Sequence, residues 1–290
     1  ISALALSVSD KVNAGGGLQP GDDTDITVCN VGNKWLLRYN TTNDHLEYCD
    51  GAGTWKNATG ADSIDLLDDG ATNYATLYNV FLGDDAGAAT TTGTHNTAVG
   101  ISALAGNTIG NDNVALGQQA LAVSTTGDRN TAIGYQTLMA NTTGDDNTAI
   151  GYQSLPVNTT GAGNTGLGCQ TLLANTTGTL NTAVGRLALS GVTTNGANTA
   201  IGYNAMPGSV GDGNVAVGIS VFERPIGSYN VGVGNRIAQI SANVFSQNVL
   251  LGFSTFSEGR SSNSVAIGTE ALARGVSDGN VAVGYQALYN

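Results

Sequence analysis

The sequence predicts an all-β fold: a parallel β-roll, or β-solenoid, wound from coils of about 17 residues and preceded by a small antiparallel β-module. Its strongest signal is a short motif, Asn-[Thr/Val]-[small]-[Val/Ile/Leu]-Gly, which recurs thirteen times from Asn79 onward. The first seven steps between anchors are all 17 residues, and later steps run 16, 16, 18, 16 and 16. Loops absorb such a drift, whereas a one-residue slip inside a strand would turn every side chain to the wrong face. A second signal is composition. Glycine supplies 42 of 290 residues while 11% are charged and 6% aromatic, which suits a stack of thin coils better than a conventional core. The third is the alternation of β-branched and small residues inside the motif, the period of a strand.

The chain divides into a connecting segment at 1–25, a β-meander module at 26–60, a linker at 61–78 and the repeat array at 79–290. In the first segment Ile1, Leu4 and Val8 fit the seam of a short coiled coil, while Leu4, Leu6 and Val8 fit an alternating strand. The module reads as three strands with turns at Thr41–Asp44 and Asp50–Gly53. Cys29 and Cys49 both lie in it and are candidates for a disulfide in an oxidising setting. Cys169 occupies a repeat position filled elsewhere by Tyr, Ile, Gln or Arg and reads as a tolerated variant. The chain opens on Ile1 and stops six residues past Gly284, before that coil could close, which reads as a segment of a longer polypeptide.

Net charge is −12, unevenly spread. Residues 1–86 hold 13 acids and 4 bases; residues 87–290 hold 9 acids and 6 bases, with no lysine. No basic patch is available for nucleic acid or an anionic membrane, and no apolar run is long enough to span a bilayer.

One coil, Asn130 to Asp146, carries the logic of the array. Thr131 and Ile133 share one face of an extended strand and Ala132 takes the other. The expectation is that Ile133, Ile150, Leu167 and Val184 line the interior, while the small column Ala132, Ala149, Ala183 and Ala200 meets sister chains. The invariant glycine (Gly134, Gly151, Gly168, Gly185) requires either a positive φ or a close backbone approach. Four residues later a second apolar site, Leu138 or Leu155, is expected to be buried on a second short strand. Asn130, Asn147, Asn164 and Asn181 tolerate left-handed corners and can pass amide hydrogen bonds up the column. A lone coil buries too few side chains to offset the ordering of its backbone, so each depends on its neighbours. Packing of the alanine face against other copies is expected to help, and a threefold axis suits a small-residue column, so a homotrimer is expected.

Asn263-Ser264-Val265-Ala266-Ile267-Gly268 resembles the head-repeat signature of YadA-type trimeric autotransporter adhesins, whose heads are trimers of left-handed parallel β-rolls. The form at 130–144 and 147–161, Asn-Thr-Ala-Ile-Gly-Tyr-Gln-x-Leu followed by Asn-Thr-Thr-Gly, is similar to repeats in phage tail-fibre proteins. Residues 34–56, from Trp35-Leu36-Leu37-Arg38-Tyr39 through Leu46-Glu47-Tyr48-Cys49 to Trp55, resemble a β-meander of tail-fibre chains. The resemblance implies the shaft or head of a viral tail fibre, on a virion surface or otherwise extracellular. Its implied partners are sister copies, other fibre or virion proteins, and a cell-surface glycan or protein receptor. The 17-residue spacing is longer than that of the adhesin heads, which favours the fibre branch over a bacterial trimeric surface adhesin.

No constellation of nucleophile, base and orienting group is present, nor a spaced set of metal ligands, so no enzyme activity and no cofactor are expected. The two histidines, His45 and His95, neighbour no suggestive partner. Asp112, Asp128, Asp145, Asp146, Asp212 and Asp278 sit in loops, but the glycine-rich nonapeptide of calcium β-rolls is missing, so solvated turns are expected. Tyr135, Tyr152 and Tyr203 follow the repeat glycine and form a candidate glycan contact. Asn40, Asn57, Asn141, Asn158 and Asn175 lie in Asn-x-Thr sequons, the last three explained equally by turn chemistry. A monomeric ice- or calcium-binding solenoid is the distant alternative. Ice binding needs a flat exposed threonine array, whereas the motif threonines are expected on the apolar side.

Overall fold

The computed structural model describes residues 31–40, 45–52, 55–57 and 78–289, apart from 209, 224–225, 239–244, 257–261 and 275–276. The chain forms two compact units, Ile1–Gly70 and Ala71–Asn290. In the first, β1 (Val31–Asn40), β2 (His45–Ala52) and β3 (Trp55–Asn57) make an antiparallel meander in chain order. Leu37 stands opposite Tyr48, and Tyr48 opposite Lys56. Strand β2 continues through Ala52, past the Asp50 start expected for the second turn. Residues 1–30, including Cys29, lie outside the described residues, as do 41–44 and 58–77, so the coiled-coil and disulfide readings fall there too.

The second unit contains one strand per motif copy, thirteen in all, from β4 (Val80–Leu82) to β16 (Val281–Val283). Each strand pairs in parallel with the one before and the one after it in sequence, which makes a β-solenoid. Register is exact to the motif: Thr131 pairs with Thr148, Ala132 with Ala149 and Ile133 with Ile150. The irregular steps leave it intact, since Thr199 pairs with Val215 and Val231 with Val249. Length changes are confined to the turns, as a sheet with two unlike faces requires.

The second strand expected at Leu138 and Leu155 does not form. Gln136 and Leu138 have φ of 52° and 49°, so left-handed residues two apart curl the chain where a strand would run flat. Hydrogen bonds nevertheless continue from coil to coil. The Gln136 N–H donates back to Gln118 O at 3.0 Å, and the Leu138 N–H forward to Ser154 O at 3.1 Å. At the corner before the strand, the left-handed residue is not the asparagine but the one preceding it, Arg129 (φ 55°) or Asp146 (φ 59°).

The faces of the strand are the reverse of those expected. Ala132, Ala149, Ala183 and Ala200 are fully buried inside their own coils, so they cannot meet a sister chain. Ile133, Ile150 and Val184 are only half-buried on the outward face, and Leu167 is exposed there. Leu138 and Leu155 are fully buried. The reason is lumen width. At Gly166, which takes the alanine position, an added methyl carbon would lie 2.5 Å from Ser154 Oγ and 2.6 Å from Leu155 Cδ1. The opposite wall already fills the space beside Gly166, and where the wall leaves room for a methyl group the position carries alanine.

Where the wall changes, the strand compensates. Gly232 faces Phe222, whose Cζ would lie 2.6 Å from an added methyl carbon. By the same register Leu250 follows the small Ala238, and both are fully buried. The motif glycine is required twice over: Gly134 has φ 132°, and a methyl carbon on it would sit 2.5 Å from Gly151 O.

Candidate functional site

Side-chain ladders hold the coils together, among them three built on asparagine and aspartate, and what they leave exposed defines the candidate site. The first is the anchor asparagine column, buried from Asn96 to Asn248. Asn130 Oδ1 accepts the Asn147 backbone N–H at 3.0 Å, and Asn130 Nδ2 donates to Gly144 O at 2.8 Å. Ser264 keeps the chain of bonds: its N–H donates to Asn248 Oδ1 at 2.9 Å and its Oγ accepts the Asn280 N–H at 3.1 Å. The second column, Asn141, Asn158 and Asn175, runs through the sequons. Asn158 Nδ2 donates to Asn141 Oδ1 at 2.9 Å and Asn175 Nδ2 to Asn158 Oδ1 at 2.8 Å. All three are fully buried, which closes them to glycosylation in the folded coil. The column ends at Val192, one coil further on, and Asn175 Oδ1 is left without a partner.

The third ladder consumes the loop acids. Asp128 Oδ1 accepts the Asn111 N–H at 2.7 Å, Asp145 Oδ1 the Asp128 N–H at 2.8 Å, Asp212 Oδ1 the Gly196 N–H at 2.9 Å and Asp278 Oδ1 the Ser262 N–H at 2.7 Å. Asp146 forms a bidentate pair with Arg129, Nε to Oδ1 at 2.6 Å and Nη2 to Oδ2 at 3.0 Å. Hydrogen bonding to Arg129, assisted by its charge, holds the Asp146 carboxyl below its ordinary range. Asp112 lies 3.9 Å from His95, whose ring stacks on Tyr78. Among the described residues, no three His, Cys, Asp or Glu side chains converge as metal ligands would.

What remains is the outward face of the thirteen-stranded sheet. The first motif site, Thr or Val, forms one column and the third site, Val, Ile or Leu, forms another, with no charged residue in either. Leu167 is 44% exposed and Ile201 41%. The residue after the motif glycine adds a third column that includes Tyr135, Tyr152, Cys169, Arg186, Tyr203, Ile219 and Phe253. With strands about 4.8 Å apart and about 3.3 Å per residue along each, the three columns cover about 60 Å by about 13 Å, or about 800 Å². The strip mixes aliphatic and aromatic residues with the motif threonines and is charged only at Asp84 and Arg186 in the third column, and its area equals what one partner contributes to a standard interface.

The tyrosines expected to offer glycan contacts are exposed on this face. Tyr135 and Tyr152 stack with centroids 5.6 Å apart and planes 13° apart, and Arg186 Cζ lies 5.8 Å from the Tyr203 ring centre. Cys169 is a half-buried free thiol in that column. A buried hydroxyl column escaped the motif reading: Thr137 Oγ1 donates to Gly151 O at 2.9 Å, and Ser154 Oγ lies 2.6 Å from Thr171 Oγ1. Its signal was the small or hydroxyl residue three positions after the motif glycine. Among the described residues no helix is long and apolar enough to cross a membrane. Comparison with protein-family models, curated proteins and solved structures finds no significant match.

Proposed function

We propose that this chain is a structural fibre protein. It serves as the shaft or head of a trimeric viral tail fibre that holds a receptor-binding region away from the virion, and it works outside the cell without catalysis. One observation carries this reading: an in-register outward sheet face, charged only at Asp84 and Arg186, that is large enough for an interface and left uncovered in the single chain. Three such faces turned toward one axis bury one another, with the Val/Ile/Leu column nearest the axis. The sister-facing residues are then Ile133, Ile150, Leu167, Val184 and Ile201, in place of the alanines. Stacking by ladder hydrogen bonds supplies stiffness, as a fibre needs. The repeat's resemblance to tail-fibre chains supports the virion setting over a bacterial surface adhesin.

Sedimentation equilibrium on the full chain tests the reading. A trimer is expected, and a monodisperse monomer at all concentrations rejects it. A second reading draws on the outward Thr97, Thr131, Thr148, Thr165, Thr182 and Thr199. An ice-binding solenoid would use such a regular hydroxyl array, and thermal hysteresis from a stable monomer would favour it over the fibre.

A further inference from the structure

The outward face changes character along the array. From Thr97 to Thr199 the first motif site is threonine in every strand but one, Val114. From Val215 it is valine five times running: Val215, Val231, Val249, Val265 and Val281. Strand length changes at the same point. β12 (Val215–Ile219), β13 (Val231–Asn235) and β14 (Val249–Phe253) have five residues, against three in every other strand of the array. In these strands pairing continues through the motif glycine, so Gly218 pairs with Gly234 and Gly234 with Gly252. Ile219, Asn235 and Phe253 thereby join the sheet, and Ile219 is 50% exposed. The wall behind is aromatic: Phe245 packs against Phe256 at 5.0 Å between centroids and against Phe222 at 6.2 Å.

We infer that self-association is seeded by this valine face, between Val215 and Val283, and that its occupant is the same face of a second copy. The inference rests on the proposed reading that the outward sheet face is the self-association surface. Valine and threonine have nearly the same shape, but an interface that covers threonine must also desolvate a hydroxyl, so equal area contributes more in the valine half. Strand length points the same way. Pairing through five positions in β12 to β14 brings Ile219, Asn235 and Phe253 into the sheet and widens its outward face there.

Sedimentation velocity over a concentration series, on the full chain, separates the possibilities. Val249→Asp and Thr148→Asp place the same charge in the same column of the two halves. Val249→Asp is expected to raise the dissociation concentration about a hundredfold or more, and Thr148→Asp less than about tenfold. Equal sensitivity of the two, or normal assembly of Val249→Asp, overturns the seeding inference while leaving self-association standing. A wild-type monomer overturns both. Far-UV circular dichroism checks that each variant keeps its sheet. Should Val249→Asp lose it, the near-isosteric pair decides: Val249→Thr must weaken assembly and Thr148→Val must strengthen it, and the reverse order rejects the seed.

Discussion

At the scale of single residues, the array is held by buried amides that bond both within their own coil and to the next one. Asn147 accepts the Asn164 N–H at 3.0 Å and donates to Gly161 O at 2.8 Å. Asn147→Ala strands both buried groups and is expected to cost about 2–4 kcal/mol in chemical unfolding. Asn147→Ser should cost less, because Ser264 already works as the acceptor in that column. The second column has the opposite defect. Val192→Asn would offer Asn175 Oδ1 a donor, and an increase in stability of about 0.5–1.5 kcal/mol is expected. On the surface, the depressed titration of Asp146 depends on Arg129. Because its folded value lies below the ordinary one, whatever the pair contributes is present above the ordinary carboxylate range and is lost as pH falls through the depressed value. Arg129→Gln should move the Asp146 carboxyl titration upward in an NMR pH series.

At the scale of the coil, stability is a matter of matched volumes across a narrow lumen. The pairs Leu155 with Gly166 and Phe222 with Gly232 show one wall's bulk setting the other's limit. Leu250 is the exception that the same rule explains, since the wall residue before it is Ala238. Leu250→Ala alone should destabilise by about 2–5 kcal/mol through the cavity it leaves. Combined with Ala238→Leu, the double variant should recover part of that loss, and a double-mutant cycle measures the coupling. Additive losses would reject the pairing. Ala149→Leu overpacks the lumen and should cost about 1–3 kcal/mol even in an isolated chain.

At the scale of the whole array, the proposed function assigns folding and association to different faces, which mutation can separate. Ile150→Asp puts a charge on the half-buried outward column and should leave the circular dichroism of the coil intact while weakening assembly in sedimentation. Ala149→Leu, one residue away, should do the reverse in order: it weakens the fold first, and association only as a consequence. On the proposed reading, the net charge of −12 opposes non-specific clustering and leaves association to the sparsely charged outward strip.

Much of this was legible in the sequence. The spacing of Asn130, Asn147 and Asn164 determined coil length and parallel register, because only a chain wound back on itself places identical motifs side by side. The unvarying glycine declared a backbone position that no side chain could occupy, and Gly134 shows both the positive φ and the close carbonyl. Leu138 misled because an apolar residue at a regular position looks the same on a strand and on a left-handed turn. The faces misled for a deeper reason. Alternation of Thr131, Ala132 and Ile133 separates two sides of a strand but does not say which is inside. Only the tertiary structure decided that, because Leu155 and its equivalents reach across the coil and leave room for nothing larger than alanine, sending the aliphatic residues outward.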